Sequence, residues 1–210
     1  MTNIVGGGNA DVDEYPNGYE HKVVAGDYNS NIYEGTEQER DLRALAIHPD
    51  YKPSKFVTAD IAVLKLATPF DFDTHVGRPV VIPNKKTERR AKKKRDCWVV
   101  GGGLSGQRPD AYRPRLQELK AVPKADSACK KTANNKFSET WSATFICTIH
   151  SGKSICGGDS GGPLVCFLND QPVQMGVVSW SGRNCAKFGF GAYVRPRSYT
   201  NWIMNKIATL

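Results

Sequence analysis

The sequence has no long hydrophobic run, and no stretch approaches the roughly 20 apolar residues that a helix needs to cross a bilayer. We therefore expect no membrane span. The first residues, Met1 to Gly8, contain neither the basic segment nor the apolar segment of a secretory signal peptide, so we expect no leader in this stretch. Charged residues make up only 24% of the 210 residues, and hydrophobic residues 40%. This balance excludes a disordered chain and predicts a single globular domain over residues 1–210.

Cysteine is absent before residue 97. Six cysteines follow, and none of them forms the closely spaced pairs of a zinc site or a thioredoxin-like motif. We therefore expect no metal site and no cofactor. An even number of cysteines instead predicts three disulfides, which form in an oxidising compartment and indicate a secreted protein. The count by itself leaves every pairing open.

Short runs of β-branched and aromatic residues dominate the chain, separated by clusters of Gly, Pro, Asn and Asp. This pattern predicts an all-β sandwich or barrel, with strands at Lys22–Ala25, Arg43–Ile47, Ile61–Leu66, Trp98–Val100, Pro163–Phe167 and Val173–Trp180. The clear helix signal comes last. After Pro196, Ser198 is a candidate N-cap, and Tyr199, Trp202, Ile203 and Ile207 follow at helical spacing. A C-terminal helix over residues 198–210 is therefore predicted.

The formal charge of +8 is concentrated in one stretch, which only Thr87, Glu88 and Ala91 interrupt. Its basic residues are Lys85, Lys86, Arg89, Arg90, Lys92, Lys93, Lys94 and Arg95. One interpretation is a solvated loop that links two strand-rich halves. The other is a binding patch for heparin-like polyanions or anionic surfaces, because clustered charge focuses an electric field. We expect no nucleic acid among the partners.

The strongest chemical motif is the glycine-rich turn from Gly157 to Pro163, which reads Gly-Gly-Asp-Ser-Gly-Gly-Pro. A nucleophilic serine needs an exposed hydroxyl and nearby backbone N–H groups that stabilise the oxyanion of a tetrahedral intermediate. Flanking glycines allow the backbone to turn tightly enough to supply both. The turn therefore predicts that Ser160 is a nucleophile.

Further motifs accompany this turn in a set order: Ile4-Val5-Gly6-Gly7, Asp60-Ile61-Ala62-Val63-Leu64-Lys65-Leu66, Cys97-Trp98-Val99-Val100-Gly101-Gly102-Gly103, Val178-Ser179-Trp180 and the final Tyr199–Ile203. Together they closely resemble the trypsin/chymotrypsin family of serine proteases, over residues 4–16 and 22–210. The resemblance implies two packed antiparallel six-stranded barrels with the active site between them. Residues 4–84 would form a truncated first barrel, 85–96 the basic linker and 97–197 the second barrel.

The resemblance also implies the roles of the site residues. Ser160 matches the nucleophile, and Asp60 matches the buried acid that orients the catalytic histidine. Gly158 and Ser160 would provide the two N–H groups of the oxyanion hole. Ile4 and Asp159 match the activation pair, in which a new N-terminal amino group binds the aspartate once Met1 to Asn3 have been removed.

Substrate specificity and disulfide pairing follow from the same resemblance. Ser154 matches the base of the substrate pocket, and Ser181 and Gly191 match its walls. Because Ser154 is neutral, a buried Lys or Arg would lack a countercharge, so we expect cleavage after large apolar or aromatic residues. The implied disulfide pairs are Cys97 with Cys166, Cys129 with Cys147, and Cys156 with Cys185.

The pattern breaks between Pro16 and Lys22, where only Asn17 to His21 remain. The family has a longer segment there, with two strands, a disulfide and the Thr-Ala-Ala-His-Cys motif that carries the catalytic histidine. The joint absence of that histidine and both cysteines indicates one internal deletion. His21 is the candidate substitute base. Two hypotheses follow: a serine endopeptidase that is inactive as written, or an inactive homologue that binds a polyanion or a protein partner.

Overall fold

The computed structural model describes residues 21–52, 57–105, 113–137, 140–182, 185–187 and 189–210. Strands β1 (Lys22–Ala25), β2 (Gln38–Ile47) and β3 (Ala62–Leu66) form a three-stranded antiparallel sheet. The second sheet has six antiparallel strands in the order β5-β4-β7-β8-β9-β6. These strands are β4 (Cys97–Gly101), β5 (Gln117–Lys120), β6 (Phe145–Ile149), β7 (Pro163–Leu168), β8 (Gln171–Ser181) and β9 (Phe190–Val194). The predominance of antiparallel sheet confirms the predicted all-β fold class.

Helices cover parts of both sheets. They are α1 (Lys85–Lys94), α2 (Asp126–Phe137) and α3 (Thr200–Thr209), and short 3₁₀ helices span Cys185–Lys187 and Pro196–Tyr199. None of the helices in the described residues is both long and apolar enough to cross a bilayer.

The main hydrophobic core lies in the second sheet, where Tyr193, Phe190, Ile146 and Leu164 are fully buried. A smaller core in the first sheet includes Ala25, Phe70 and Val76, against which Val23 and Leu66 pack. Along the first six residues of β2, partly buried and exposed residues alternate, so this part of the strand has one covered face and one exposed face.

Three disulfides cross-link the second sheet and its loops. Cys97 and Cys166 lie opposite each other on β4 and β7, Cys129 of α2 is joined to Cys147 of β6, and Cys156 is joined to Cys185. These are the pairs that the resemblance implies. Each closed loop reduces the entropy of the unfolded chain, which corresponds to roughly 3 kcal/mol per disulfide.

The basic stretch forms a helix, so its interpretation as a solvated loop is wrong. Asn84 caps α1 by accepting a hydrogen bond from the Thr87 N–H at 2.9 Å, and Arg95 ends the helix in the left-handed conformation. Ala91 is fully buried, and α1 packs against β7 and β8. The sequence misled because only two residues of α1, Glu88 and Ala91, are buried.

Glu88 anchors α1 through a buried network of charges. Its two carboxylate oxygens bind Arg195 and the Arg197 Nε, the latter at 2.6 Å. Arg195 also donates to Asp126 and to the Phe145 carbonyl, both at 2.9 Å. The network joins α1, the start of α2 and the segment before α3, and because its charges are paired, burial of Arg195 is tolerated.

The remaining differences from the sequence have local causes. Helix α2 was not predicted, because it presents no continuous apolar stripe. Strands β5, β6 and β9 were also missed. Strand β5 is polar, and β9 contains Gly191 and Ala192, which have low strand propensity. The proposed N-cap is also wrong: Ser198 lies in the 3₁₀ helix, and α3 begins after Tyr199, whose side chain makes no capping hydrogen bond.

Two partly buried histidines predict that stability falls at acid pH. The His48 ring packs against Tyr199 and Trp202, with ring centroids 5.0 and 4.8 Å away. Burial lowers the pKa of His48, although Asp50 partly opposes this. Burial also lowers the pKa of His150, and nearby lysines add to the effect.

The direction of this pH dependence follows from the number of protons that the folded and unfolded states bind. Because the folded pKa of each histidine lies below the unfolded value of about 6.5, the unfolded state binds more protons in this range. The histidines therefore cost no stability above about pH 6.5 and progressively destabilise the fold as the pH falls through that value. The melting temperature should drop between about pH 7 and 5, and less steeply in a His48→Gln/His150→Gln variant. Parallel curves for the parent and the double variant would contradict this prediction.

Candidate active site

The turn that carries Ser160 depends on glycine at position 158. Gly158 has a φ of +94°, and a Cβ added to it would lie 3.1 Å from the Cα of Gly103. The Asp159 N–H donates to the Cys156 carbonyl at 3.1 Å, and the Gly162 N–H donates to the Asp159 carbonyl at 2.9 Å. These two short-range bonds turn the chain sharply around Ser160 and leave that residue exposed to solvent.

The backbone N–H groups of Gly158 and Ser160 are not used by the fold. Neither donates a hydrogen bond to an acceptor in the described part of the chain, whereas the intervening Asp159 N–H does. Both residues are exposed. Two unpaired donors beside an exposed hydroxyl form a site that can accept an anionic oxygen.

Asp60 lies just before β3, and its carboxylate is only half satisfied. Its Oδ2 accepts a hydrogen bond from the Ser179 hydroxyl at 2.7 Å. Its Oδ1 is buried and has no hydrogen-bond partner. Burial raises the pKa of Asp60, and the hydrogen bond from Ser179 partly offsets that rise. A donor aimed at Oδ1 would therefore remove a costly unpaired group.

Strand β8 brings Asp60 and Ser160 together. The Gly161 N–H, next to Ser160, donates to the Val178 carbonyl at 2.9 Å. The following residue, Ser179, holds Asp60. Consecutive residues of one strand therefore contact the Ser160 turn and Asp60. The contact of Ser179 with Asp60 was not predicted, although Ser179 lies in the Val178-Ser179-Trp180 motif.

The carboxylate of Asp159 points away from Ser160. Its Oδ1 accepts from the Gly103 N–H and its Oδ2 from the Cys156 N–H, both at 2.9 Å. It lines a cavity of about 510 Å³. A Cβ on Gly101 or Gly103 would lie within 2.5 Å of this carboxylate, so the glycines of this loop make room for it. Ile4, the predicted partner of Asp159, lies outside the described residues.

The predicted pocket residues lie around β9. The Ser154 hydroxyl donates to the Phe190 carbonyl at 3.0 Å. Ser181 of β8 is paired in register with Gly191 of β9. A Cβ on Gly191 would lie 2.8 Å from the Tyr193 hydroxyl, so only glycine fits there. Ser154 lines the cavity that also contains Asp159, whereas Ser181 and Gly191 do not.

Within the described part of the chain, no histidine donates a hydrogen bond to the Asp60 carboxylate. The Ser160 turn borders a second cavity, of about 370 Å³, which Val24 and His75 also line. His21 lies three residues before Val24, which corresponds to roughly 10 Å along an extended strand. Its carbonyl accepts from the Leu42 N–H at 3.0 Å. His48 packs against the segment that leads into α3 instead.

Carboxylates in the loop between β1 and β2 form the acidic cluster that could hold a cation. Oxygens of Asp27, Glu34 and Glu37 lie within 4.8 Å of one another. Hard cations such as Ca²⁺ prefer such ligands. However, Glu34 already accepts hydrogen bonds from two backbone N–H groups, and so does Glu37. The cluster is thus explained by the structure of the loop, and we assign no metal to it.

Two antiparallel sheets and a C-terminal helix, with a serine in a glycine-rich turn, are typical of the class of chymotrypsin-like serine proteases. Comparison with known proteins specifies the family. Residues 9–203 match the family model described as "Trypsin". The chain is therefore a member of the trypsin family, which makes it a serine endopeptidase by family.

Relatives support this membership. Cationic trypsin-3 of Rattus norvegicus is 34% identical over 190 residues, which cover 89% of this chain and 71% of that protein. Trypsin of Sus scrofa is 33% identical over 190 residues, covering 89% and 76%. Ovochymase of Halocynthia roretzi is 32% identical over 187 residues, covering 87% of this chain and 11% of that protein.

Proposed function

We propose that this chain is the framework of a serine endopeptidase in which Ser160 forms the acyl-enzyme. Its hydroxyl oxygen would attack the peptide carbonyl carbon while a base accepts the proton. The N–H groups of Gly158 and Ser160 would stabilise the resulting oxyanion. The C–N bond would then break, the amine would leave with a proton, and water would release the acyl group. The observation that supports the proposal is that consecutive residues of β8 bind both parts of the site: the Val178 carbonyl accepts from the Gly161 N–H next to Ser160, and the Ser179 hydroxyl donates to Asp60.

We further propose that the base is the missing component. In the family a histidine would occupy the place between the nucleophile and the acid. The unpaired Oδ1 of Asp60 supports this, because a carboxylate that is buried to orient a histidine would be left unpaired without one. The chain between Pro16 and Lys22 is too short to hold the family segment.

Activation would use the carboxylate of Asp159. Once Met1 to Asn3 are removed, the α-amino group of Ile4 could bind Asp159 in the cavity that it lines. The hydrogen bonds from Gly103 and Cys156 already hold the carboxylate toward this cavity. Asn3 precedes the required cut, so a protease that cleaves after asparagine would suit it better than one that cleaves after Lys or Arg. The three disulfides support secretion into an oxidising, extracellular environment.

The test is to restore the missing segment. A chain with the family segment inserted between Pro16 and Lys22, and with Ile4 freed, should hydrolyse peptides and bind a fluorophosphonate covalently at Ser160. The matched control is the same chain with Ser160→Ala, which should do neither. Failure of the folded, restored chain to label would reject the assignment of Ser160 as nucleophile.

A second candidate function is that of a binding protein that holds a polyanion. The observation that favours it is the exposed cationic surface of α1, since seven of the eight basic residues in the stretch are exposed. Isolation of a mature protein with the Pro16 to Lys22 junction intact would favour this function. Isolation of only longer forms, which contain the histidine segment, would favour the peptidase.

A further inference from the structure

Helix α1 separates its basic side chains from its inward-facing ones. Its outer residues recur four apart, in two adjacent rows: Lys85, Arg89 and Lys93, and Lys86, Arg90 and Lys94. With 3.6 residues per turn, both rows lie on the same half of the helix. All six side chains belong to exposed residues. We call these six residues the cationic face.

The remaining charges of α1 do not neutralise this face. Glu88, its single acidic residue, is buried and bound to Arg195 and Arg197. Lys92 is partly buried and donates to the Lys124 carbonyl. Asp96, which follows the helix, accepts a hydrogen bond from the Trp98 indole at 2.8 Å. The one acid of the helix thus compensates arginines of the core, and the cationic face is left without an acidic partner on its own helix.

Nearly the whole net charge of the protein is concentrated here. The stretch from Lys85 to Arg95 contains eight of the 29 basic residues and one of the 21 acidic residues, while the net charge is +8. The rest of the chain is therefore almost neutral. A single concentrated patch directs an anionic partner to one place, whereas evenly spread charge would not.

Part of the arrangement opposes the stability of the free helix, although the helix dipole favours Lys93 and Lys94 in the last turn. Lys85 and Lys86 lie in the first turn, where the helix dipole disfavours positive charge. Like charges four residues apart, such as Lys86 and Arg90, repel each other along each row. A ligand that neutralises the face would relieve both effects, so binding would stabilise the helix.

We infer that the cationic face of α1 binds a linear sulfated polysaccharide that lies along the helix axis. This inference deepens the second candidate function by naming its partner and surface, and it does not require peptidase activity. The face extends about 14 Å from Lys85 to Lys94, enough to contact several sulfate groups of one chain. Arginine and lysine bind sulfate through charge-assisted hydrogen bonds. The face has no apolar side chain to insert into a membrane, and a disulfide-bonded protein belongs to an extracellular environment, where such polysaccharides occur.

The experiment measures heparin affinity as a function of NaCl concentration. The parent should bind near 50 mM NaCl and be released by several hundred millimolar, because screening shortens the range of the interaction. Lys86→Gln/Arg90→Gln/Lys94→Gln should weaken binding on the order of tenfold, as should the corresponding triple variant of the other row. The matched control, Lys130→Gln/Lys131→Gln/Lys136→Gln, removes the same charge from exposed positions of α2 and should leave affinity unchanged.

Further measurements distinguish a sulfated polysaccharide from other anionic partners of the cationic face. Heparin should raise the melting temperature of the parent more than that of the α1 variants, whose unliganded melting curves show whether they fold. De-sulfated heparin should not bind. An equal loss of affinity in the α2 control would overturn the inference, because binding would then follow net charge. Tighter binding to vesicles containing phosphatidylserine, or to duplex DNA, would also overturn it and assign the face to a membrane or a nucleic acid. Since Ser160→Ala should not alter any of these results, failure here is distinguishable from failure of the peptidase proposal.

Discussion

The chain as written should hydrolyse no peptide at a measurable rate, and Ser160 should not be labelled stoichiometrically by a fluorophosphonate. Without a base, the serine hydroxyl stays protonated at neutral pH and is a weak nucleophile. Loss of a member of the catalytic triad costs up to about 10⁶ in turnover. What remains is roughly 10³ over the reaction in water, and even that requires a formed oxyanion hole.

The state of Asp60 makes this prediction specific. Its Oδ1 is buried without a partner, and burial raises the pKa of its carboxyl group. In the proposed mechanism only the base is missing, so a supplied base should recover part of the rate. A peptide that carries its own histidine beside the cleaved bond should be hydrolysed slowly, and the same peptide with alanine there should not be. Quantitative labelling of the unmodified chain that His21→Ala abolishes would contradict the prediction and identify His21 as the base.

Much of the strand framework could be predicted from local sequence. Lys22–Ala25 was placed with the observed bounds, and Val173–Trp180 lies inside β8. Both segments are rich in β-branched residues, and Val173–Val178 is buried throughout, so local strand propensity and tertiary packing agree. Strand β9 could not be found in this way, because Gly191 is required by the Tyr193 hydroxyl next to it and not by strand propensity. Helix α1 was missed because Glu88 is buried only through arginines more than one hundred residues away.

In the candidate site, too, local motifs could be predicted from the sequence and contacts between distant residues could not. The glycine-rich turn around Ser160 is a local motif, so it can be recognised without a structure. The bond from Ser179 to Asp60 joins residues 119 positions apart, and no local pattern predicts it. The bond from the Gly103 N–H to Asp159 spans 56 positions. The sequence does contain the glycine run from Gly101 to Gly103. The structure explains it, because a side chain on Gly101 or Gly103 would collide with the carboxylate of Asp159.

The restored enzyme should prefer Phe, Tyr, Leu or Met before the cleaved bond over Lys or Arg. Ser154 offers no countercharge, and its hydroxyl already donates to the Phe190 carbonyl. Lys153 and Lys187 line the same cavity as Ser154 and would repel a cationic side chain, whereas the acidic Glu118, which also lines it, is an exposed residue of β5. Asp159 also lines that cavity, but its two oxygens are bound to backbone N–H groups.

Burying a cation without a partner costs several kcal/mol, and about 1.4 kcal/mol corresponds to a factor of ten in rate. We therefore expect kcat/KM for a Phe substrate to exceed that for the matched Arg substrate by on the order of 10³. Ser154→Asp should reverse the preference by placing a carboxylate at the base of the pocket. Ser151→Asp, which adds the same charge at an exposed neighbouring position, should change it little. A strong preference for Arg in the restored enzyme with Ser154 intact would mean that another residue forms the base of the pocket.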